Sequence, residues 1–112
     1  MSINKMSILG EVQNKPSKKT FENGGEKMTL TLTTYEKGYT TREGKEVPSH
    51  TEYHSIVVTI PRYIKMLELY VDRGQRIYVE GKVRSRHYGE ENAKQTVREV
   101  IAEYVEVIDW RE

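Results

Sequence analysis

Residues 77–88 constrain this chain more than any other stretch, because their alternation separates two chemically different faces. Successive side chains of a β-strand point to opposite faces, so every second residue shares a side. One side is mainly apolar and holds Ile77, Val79, Gly81 and Val83, followed by Ser85 and His87. The other side carries Tyr78, Glu80, Lys82, Arg84, Arg86 and Tyr88. A row of cations that ends in an aromatic ring is typical of surfaces that follow a phosphate backbone and stack bases.

Chain length and residue types restrict the class of protein. At 112 residues we expect one domain, spanning 1–112, with a hydrophobic core of its own. There is no cysteine and the three histidines are scattered, so the sequence predicts no disulfide, no metal site and no cofactor. The first apolar run is too short and too polar for a signal peptide or a membrane span, which predicts a cytoplasmic protein without a membrane partner.

Net charge by itself does not indicate a polyanionic partner. The chain has 18 Lys and Arg against 17 Asp and Glu, which gives a formal net charge of +1. The distribution is uneven, because basic residues gather at 15–19 and 82–86 whereas the C-terminal end is acidic. The sequence therefore predicts a domain with two electrically different sides.

Alternation and turn residues predict an all-β domain with one helix. The predicted strands cover residues 3–12, 28–33, 51–59, 77–88 and 96–108. A helix of about three turns is predicted to start at Pro61 and to end before Gly74. Residues 14–19, which include Pro16, break the strand pattern, and tight turns are predicted at 23–25 and 89–92. Gly10 inside the first strand indicates a bulge or a close backbone approach.

Two segments leave more than one interpretation open. Residues 36–50 hold two glycines, a proline and few apolar side chains, which indicates a long loop or a loose hairpin tip. Residues 96–108 fit a helical period as well as a strand phase, and their β-branched content favours a strand. The resulting order predicts a five-stranded OB-fold barrel with one short helix between strands 3 and 4, a fold that lays oligonucleotides or oligosaccharides across one face.

Four stretches resemble the bacterial-type single-stranded DNA-binding protein family, and together they run through nearly the whole chain. They are residues 4–10 with the hairpin around Pro16 and 23–25, residues 51–54, residues 70–81, and residues 84–88. Thr-Glu-Tyr-His at 51–54 is similar to the family's Thr-Glu-Trp-His. Arg-Ser-Arg-His-Tyr at 84–88 is similar to its Arg-Thr-Arg-Lys-Trp. The resemblance implies an OB-fold core that binds single-stranded DNA independently of sequence.

The resemblance also implies which aromatic rings stack on bases. Tyr53 and Tyr88 stand where the family has tryptophans, so they are the first candidates for stacking. Gly38 occupies the approximate place of the family's loop tryptophan, which leaves Tyr39 or Tyr35 as its substitute. The family's phenylalanine at the end of the third strand falls at 59–60, where this chain has Thr and Ile. We therefore expect that stacking site to be lost.

Basic residues are the candidates for phosphate contacts. Those of the 77–88 face are Lys82, Arg84 and Arg86. Weaker candidates, which singly are more often solubilising than functional, are Lys18, Lys19, Lys37, Arg42, Arg62 and Arg73. His54 and Tyr78 are expected at the subunit interface of a homo-oligomer, a tetramer of the family type. The function implied is protection of single-stranded DNA in replication, recombination or repair, in a nucleoid-associated protein.

Simpler interpretations compete with these assignments. Tyr53 and Tyr88 also fit half-buried barrel tyrosines, and the cationic row also fits a solvated strand face. No carboxylate or histidine has catalytic spacing, so we do not expect an enzyme. The rival function is a primosomal-type OB-fold module that mainly docks on other replication proteins. The chain stops at residue 112, where the family continues to an acidic tip, so we expect a minimal member or a trimmed core, without recruitment through such a tail.

Overall fold

The computed structural model describes residues 1–89 and 95–110, which contain eight strands and one helix. The strands are β1 Met6–Val12, β2 Ser17–Thr20, β3 Glu26–Glu36, β4 Tyr39–Thr40, β5 Glu46–Val47, β6 His50–Val58, β7 Arg76–Tyr88 and β8 Gln95–Val107. The helix α1 is Pro61–Tyr70. Of the hairpin tip predicted at 89–92, residues 90–92 lie outside the described residues.

Five of the strands close into a barrel. Their order is β1, β7, β8, β6 and β3, and β3 pairs again with β1. Neighbours are antiparallel except β6 and β8, which run parallel. In chain order α1 lies between the third and the fourth barrel strand. The predicted five-stranded all-β barrel with one short helix is therefore confirmed, and residues 95–107 form a strand rather than a helix.

Alternate residues of the barrel strands fill its interior, and α1 packs against this core. β3 contributes Met28, Leu30 and Leu32, all buried. The helix buries Tyr63, Ile64 and Leu67, a helical spacing that places three side chains on one face. Complete burial of a side chain such as Leu67 contributes about 1.5–3 kcal/mol to stability. Most side chains of the other strand phase lie on the outer surface of the barrel.

The backbone of the first strand passes close to β3 at Gly10. A Cβ added at Gly10 would lie 2.7 Å from the carbonyl oxygen of Thr33, so the predicted close approach at this glycine is confirmed. The strand begins at Met6 rather than at residue 3. Before it, the side-chain amide of Asn4 makes two 2.8 Å hydrogen bonds with the backbone N–H and C=O of Val83. The Asn4 side chain thus continues the hydrogen bonding between β1 and β7 beyond the first residue of β1.

Two hairpins contain short strands that the sequence did not predict. Residues 17–20 form β2 and pair with β3 across the predicted turn at 23–25, although residues 17–19 belong to the segment predicted to break the strand pattern. All four residues of β2 are exposed, so no alternation of apolar side chains marks it as a strand. Within 36–50, β4 and β5 pair with each other, so the hairpin interpretation of that segment is the correct one.

Candidate nucleic-acid interface

Strand register brings two exposed tyrosines together on the outer face of β3 and β6. Tyr53 pairs with Thr33, and Tyr35 pairs with Thr51, so the two rings are diagonal neighbours on one face. The exposed fractions are 62% for Tyr53 and 67% for Tyr35. Tyr53 is therefore not the half-buried barrel tyrosine of the simpler interpretation. Its ring is available to a ligand along the sheet.

Tyr88 lies on the same outer face, as the register across three strands shows. Val57 of β6 pairs with Ile101 of β8, and Ile101 pairs with Lys82 of β7. Cross-strand partners share a face and side chains alternate, so residues an even number of positions away share it too. Tyr53 precedes Val57 by four residues and Tyr88 follows Lys82 by six. Both numbers are even, so the two tyrosines lie on the same outer face.

The ring of Tyr88 is supported from two directions. Its hydroxyl donates a 2.6 Å hydrogen bond to Oε1 of Gln95, and the guanidinium carbon of Arg86 lies 5.8 Å from the ring centroid. The ring is still 45% exposed. Tyr88 is thus held in place by its neighbours and remains open to solvent.

The β4–β5 hairpin forms a cleft beside Tyr35. The cleft has a volume of about 550 Å³ and is lined by Tyr35, Lys37 and Tyr39, among others. A Cβ added at Gly38 would lie 2.7 Å from both the backbone nitrogen of Ser49 and the carbonyl oxygen of Val47. No side chain fits at Gly38, the approximate place of the family's loop tryptophan. Tyr35 and Tyr39 are the rings that this cleft offers.

The three cations of the β7 face differ in their surroundings. Lys82 is half-buried and Arg84 is exposed. Arg86 is engaged, because its Nε lies 3.2 Å from Oε1 of Glu99. Sequence reasoning missed Glu99 as a residue of this face. The signal that was available is its position between Val97 and Ile101, two apolar residues of the same strand phase.

The remaining basic candidates are scattered over the molecule. Lys18 bridges Glu26 of β3 at 3.2 Å and Glu68 of α1 at 2.6 Å, which raises the pKa of its amino group, chiefly through the bond to Glu68. Two cations lie over rings: Lys19 at 5.5 Å from the Phe21 centroid and Arg62 at 4.6 Å from that of Tyr63. Exposed positions are occupied by Lys37, Arg42 and Arg73. Of these, Lys37 lines the hairpin cleft.

The two candidates for a subunit interface lie on different faces. His54 is half-buried on the barrel side of β6, where Nε2 lies 2.9 Å from the hydroxyl of Thr34. Tyr78 is half-buried on the outer face of β7 and donates a hydrogen bond to Glu80. This bond, with a further one from Lys5, lowers the pKa of the Glu80 carboxyl.

An exposed apolar patch surrounds Tyr78. Its ring packs edge-on to Tyr104 of β8 at 6.2 Å between centroids, and Leu9 is its cross-strand partner on β1. Leu9 and Tyr104 are both exposed. Sequence reasoning missed these two neighbours because strand order, not spacing along the chain, brings them together.

Neither a metal-ligand cluster nor a membrane-spanning helix is found among the described residues. Within 1–89 and 95–110, no three His, Cys, Asp or Glu side chains are grouped so that they could hold a metal ion. Over the same residues, no helix is long and apolar enough to cross a membrane.

Comparison with known proteins identifies a family and several relatives. The pattern of the "Single-strand binding protein family" matches residues 3–108. A single-stranded DNA-binding protein of Bacteroides thetaiotaomicron is 34% identical over 109 residues, covering 96% of this chain and 67% of the relative. One of Rickettsia conorii is 30% identical over 96 residues, covering 84% of this chain and 61% of the relative. This chain thus spans about two thirds of the length of these relatives.

A solved structure has the same fold over almost the whole chain. It is described as Plasmodium falciparum SSB in complex with ssDNA, and it superposes with a TM-score of 0.86 at 26% identity. The superposition covers 97% of each chain. The barrel described above is therefore the OB-fold of that protein.

Proposed function

Because this chain belongs to the single-strand binding protein family, we propose that it binds single-stranded DNA with little regard to base sequence. The observation that carries this proposal is the exposure of Tyr53 and Tyr88 on one face of the barrel. Every base has a π-face, so stacking on such rings tolerates any sequence and contributes about 1–3 kcal/mol per base. Tyr35, a diagonal neighbour of Tyr53, extends the row toward the hairpin cleft.

The phosphates of the bound strand contact the cations beside these rings. Arg84 is exposed and Lys82 lies next to it on the same phase of β7. Lys37 and Arg42 of the hairpin segment supply further positive charge near Tyr35 and Tyr39. Neutralised phosphates release counterions, so this arrangement predicts a marked salt dependence of binding.

The protein acts as a homo-oligomer, a tetramer. The exposed patch of Leu9, Tyr78 and Tyr104 supports this assignment, because apolar side chains grouped on one surface are typical of subunit contacts. His54 lies on the barrel side of β6, outside this patch, and is assigned to a separate subunit contact. A closed symmetric assembly would leave the tyrosine face of each copy open to DNA.

The role of the protein is to bind and protect the strand, without catalysis, as a single nucleic-acid-binding domain in the cytoplasm at the nucleoid. Replication, recombination and repair all expose such strands. The absence of catalytic spacing in the sequence agrees with a binding role.

Titration of fluorescein-labelled oligo-dT against the protein tests this function. An oligonucleotide of about 16 nucleotides covers the largest site size known for one OB-fold. We expect tight binding that weakens steeply as salt rises, and much weaker binding to a duplex of the same length. Equal affinity for the single strand and the duplex would contradict stacking on exposed rings.

A further inference from the structure

Glu99 is a buried carboxylate on the face that presents the tyrosines and cations. It is 8% exposed, and its direct cross-strand partner on β7 is Arg84. A negative charge on this surface repels a polyanion, and burial of a carboxylate is costly unless a donor or a cation satisfies it. The cation that satisfies it is Arg86, whose Nε lies 3.2 Å from Oε1.

Arg86, which pairs with Glu99, also contacts the ring of Tyr88, a proposed stacking residue. Its guanidinium carbon lies 5.8 Å from the centroid of Tyr88, within the range of a cation–π interaction. The guanidinium is therefore held between a carboxylate and an aromatic face. If Arg86 moved to a phosphate, it would leave Glu99 buried and unpaired, a change that is strongly unfavourable in proteins.

We propose that Glu99 is a positioning residue that keeps Arg86 away from the DNA phosphates and holds its guanidinium against Tyr88. This inference rests on the proposed single-stranded DNA binding. Arg84 and Arg86, two residues apart on one strand, then have different roles. Arg84 neutralises a phosphate, whereas Arg86 supports the stacking ring and remains paired in the complex.

The salt dependence of binding separates the two arginines. Each phosphate neutralised on a single strand contributes about −0.7 to the slope of log K against log salt concentration. We expect Arg84→Gln to make the slope shallower by about 0.7. We expect Arg86→Gln to keep the wild-type slope and to weaken binding by about two- to five-fold at every salt concentration, the loss of one cation–π contact. If the slope becomes equally shallow in both variants, the proposal is overturned.

Removal of the charge of the Glu99 carboxylate is a second test of this proposal. In Glu99→Gln the side chain keeps its size but no longer holds Arg86 by charge, so Arg86 becomes free to reach a phosphate. We expect the slope to become steeper by about 0.7. The matched control is Glu103→Gln, which removes the same charge from an exposed position of β8. Equal slopes for these two variants would overturn the proposal.

The outcomes distinguish this inference from the function on which it rests. If the wild-type protein binds oligo-dT no better than duplex, the proposed function fails. If the wild-type protein binds oligo-dT tightly but the salt-dependence slope of Arg86→Gln is as shallow as that of Arg84→Gln, only the proposed role of Glu99 fails. Circular dichroism establishes that each variant is folded. Should Arg86→Gln not fold, the double variant Glu99→Gln/Arg86→Gln leaves no buried carboxylate unpaired, and its slope must equal that of wild type.

Discussion

The carboxylate of Asp109 receives two hydrogen bonds from the guanidinium of Arg76, from Nε to Oδ2 at 2.9 Å and from Nη2 to Oδ1 at 3.0 Å. The backbone N–H of Arg76 donates a third, of 3.1 Å, to Oδ2. These bonds join the start of β7 to the residues that follow β8. They also hold the pKa of the Asp109 carboxyl below its usual value of 3.8, chiefly through the side chain of Arg76.

The depressed pKa of Asp109 predicts an acid-dependent stability difference. A carboxyl whose pKa is lower in the folded state stabilises the fold above its unfolded-state pKa, and this contribution is lost as the pH falls through the folded-state pKa. We expect Asp109→Asn to lower the melting temperature at pH 7 and to approach wild type in acid. Both melting temperatures are measured between pH 7 and about pH 2, which spans the titration of a paired Asp.

Glu11→Gln is the matched control for this pH dependence. Glu11 is the cross-strand partner of Arg76 on β1, but the guanidinium donates to Asp109. The control removes one negative charge near the same arginine without removing those hydrogen bonds. A pH profile of Asp109→Asn that matches that of Glu11→Gln would mean that general charge, not the pair, sets the stability.

Replacement of Tyr53 should weaken DNA binding without altering its sequence tolerance. Loss of one stacked base, about 1–3 kcal/mol, corresponds to a decrease in affinity of about five- to 150-fold. We expect Tyr53→Ala to show this decrease for oligo-dT and oligo-dC alike, and Tyr53→Phe, which keeps the ring, to bind nearly as wild type. Fluorescence anisotropy measures both affinities.

Tyr70→Ala is the control for this substitution. Tyr70 is another exposed tyrosine, but it lies on α1 and packs against Trp110 at 5.6 Å between centroids. Its removal should leave DNA affinity almost unchanged. Equal affinities of Tyr53→Ala and wild type would remove Tyr53 from the interface.

Gly81 has no room for a side chain at the register shift between the paired strands β7 and β8. The register shifts by one residue between Glu80 and Gly81, and an added Cβ would lie 2.0 Å from the carbonyl oxygen of Ile101. Backbone must move to relieve such a contact, so we expect Gly81→Ala to destabilise the protein by about 3 kcal/mol or more, the upper end for overpacking. Gly10→Ala, with its 2.7 Å contact, should cost less. Urea denaturation midpoints rank the two variants.

An exposed residue of the same strand provides the baseline for this ranking. Ser85→Ala alters an exposed position of β7 and should leave the midpoint near that of wild type. If Gly81→Ala unfolds at the same urea concentration as Ser85→Ala, the close packing of β7 on β8 is not required for stability.

A charge in the apolar patch should dissociate the proposed homo-oligomer. Leu9 is exposed beside Tyr78, and a carboxylate there would be buried without a partner in any contact through this patch. We expect Leu9→Glu to shift the solution mass toward the monomer, as measured by light scattering. Leu69→Glu, the same change at an exposed leucine of α1, is the control. If the mass of Leu9→Glu stays that of wild type, the subunit contact lies elsewhere.

Local sequence patterns were sufficient to predict the barrel. Alternation in β3 and β7, and proline at the start of α1, predicted the elements because burial of every second side chain leaves a two-residue period in the sequence. The all-exposed β2 carries no such period, and this is why it was missed. The exposure of Tyr53 agrees with the prediction because its strand phase is opposite to that of Ile56 and Val58.

Only the tertiary structure decided which charges are free and which side chains are neighbours. In the sequence Lys82, Arg84 and Arg86 form one uniform row, yet the pairing of β7 with β8 places the buried Glu99 beside Arg86. The fold likewise joins Lys18 to Glu68 of α1, and Leu9 to Tyr78. An ion pair forms only when its charged atoms lie within a few ångströms of each other, and for residues distant along the chain the fold sets that distance. The sequence determined a barrel with a cationic, aromatic face, and strand register determined which cation of this face is paired with a buried carboxylate.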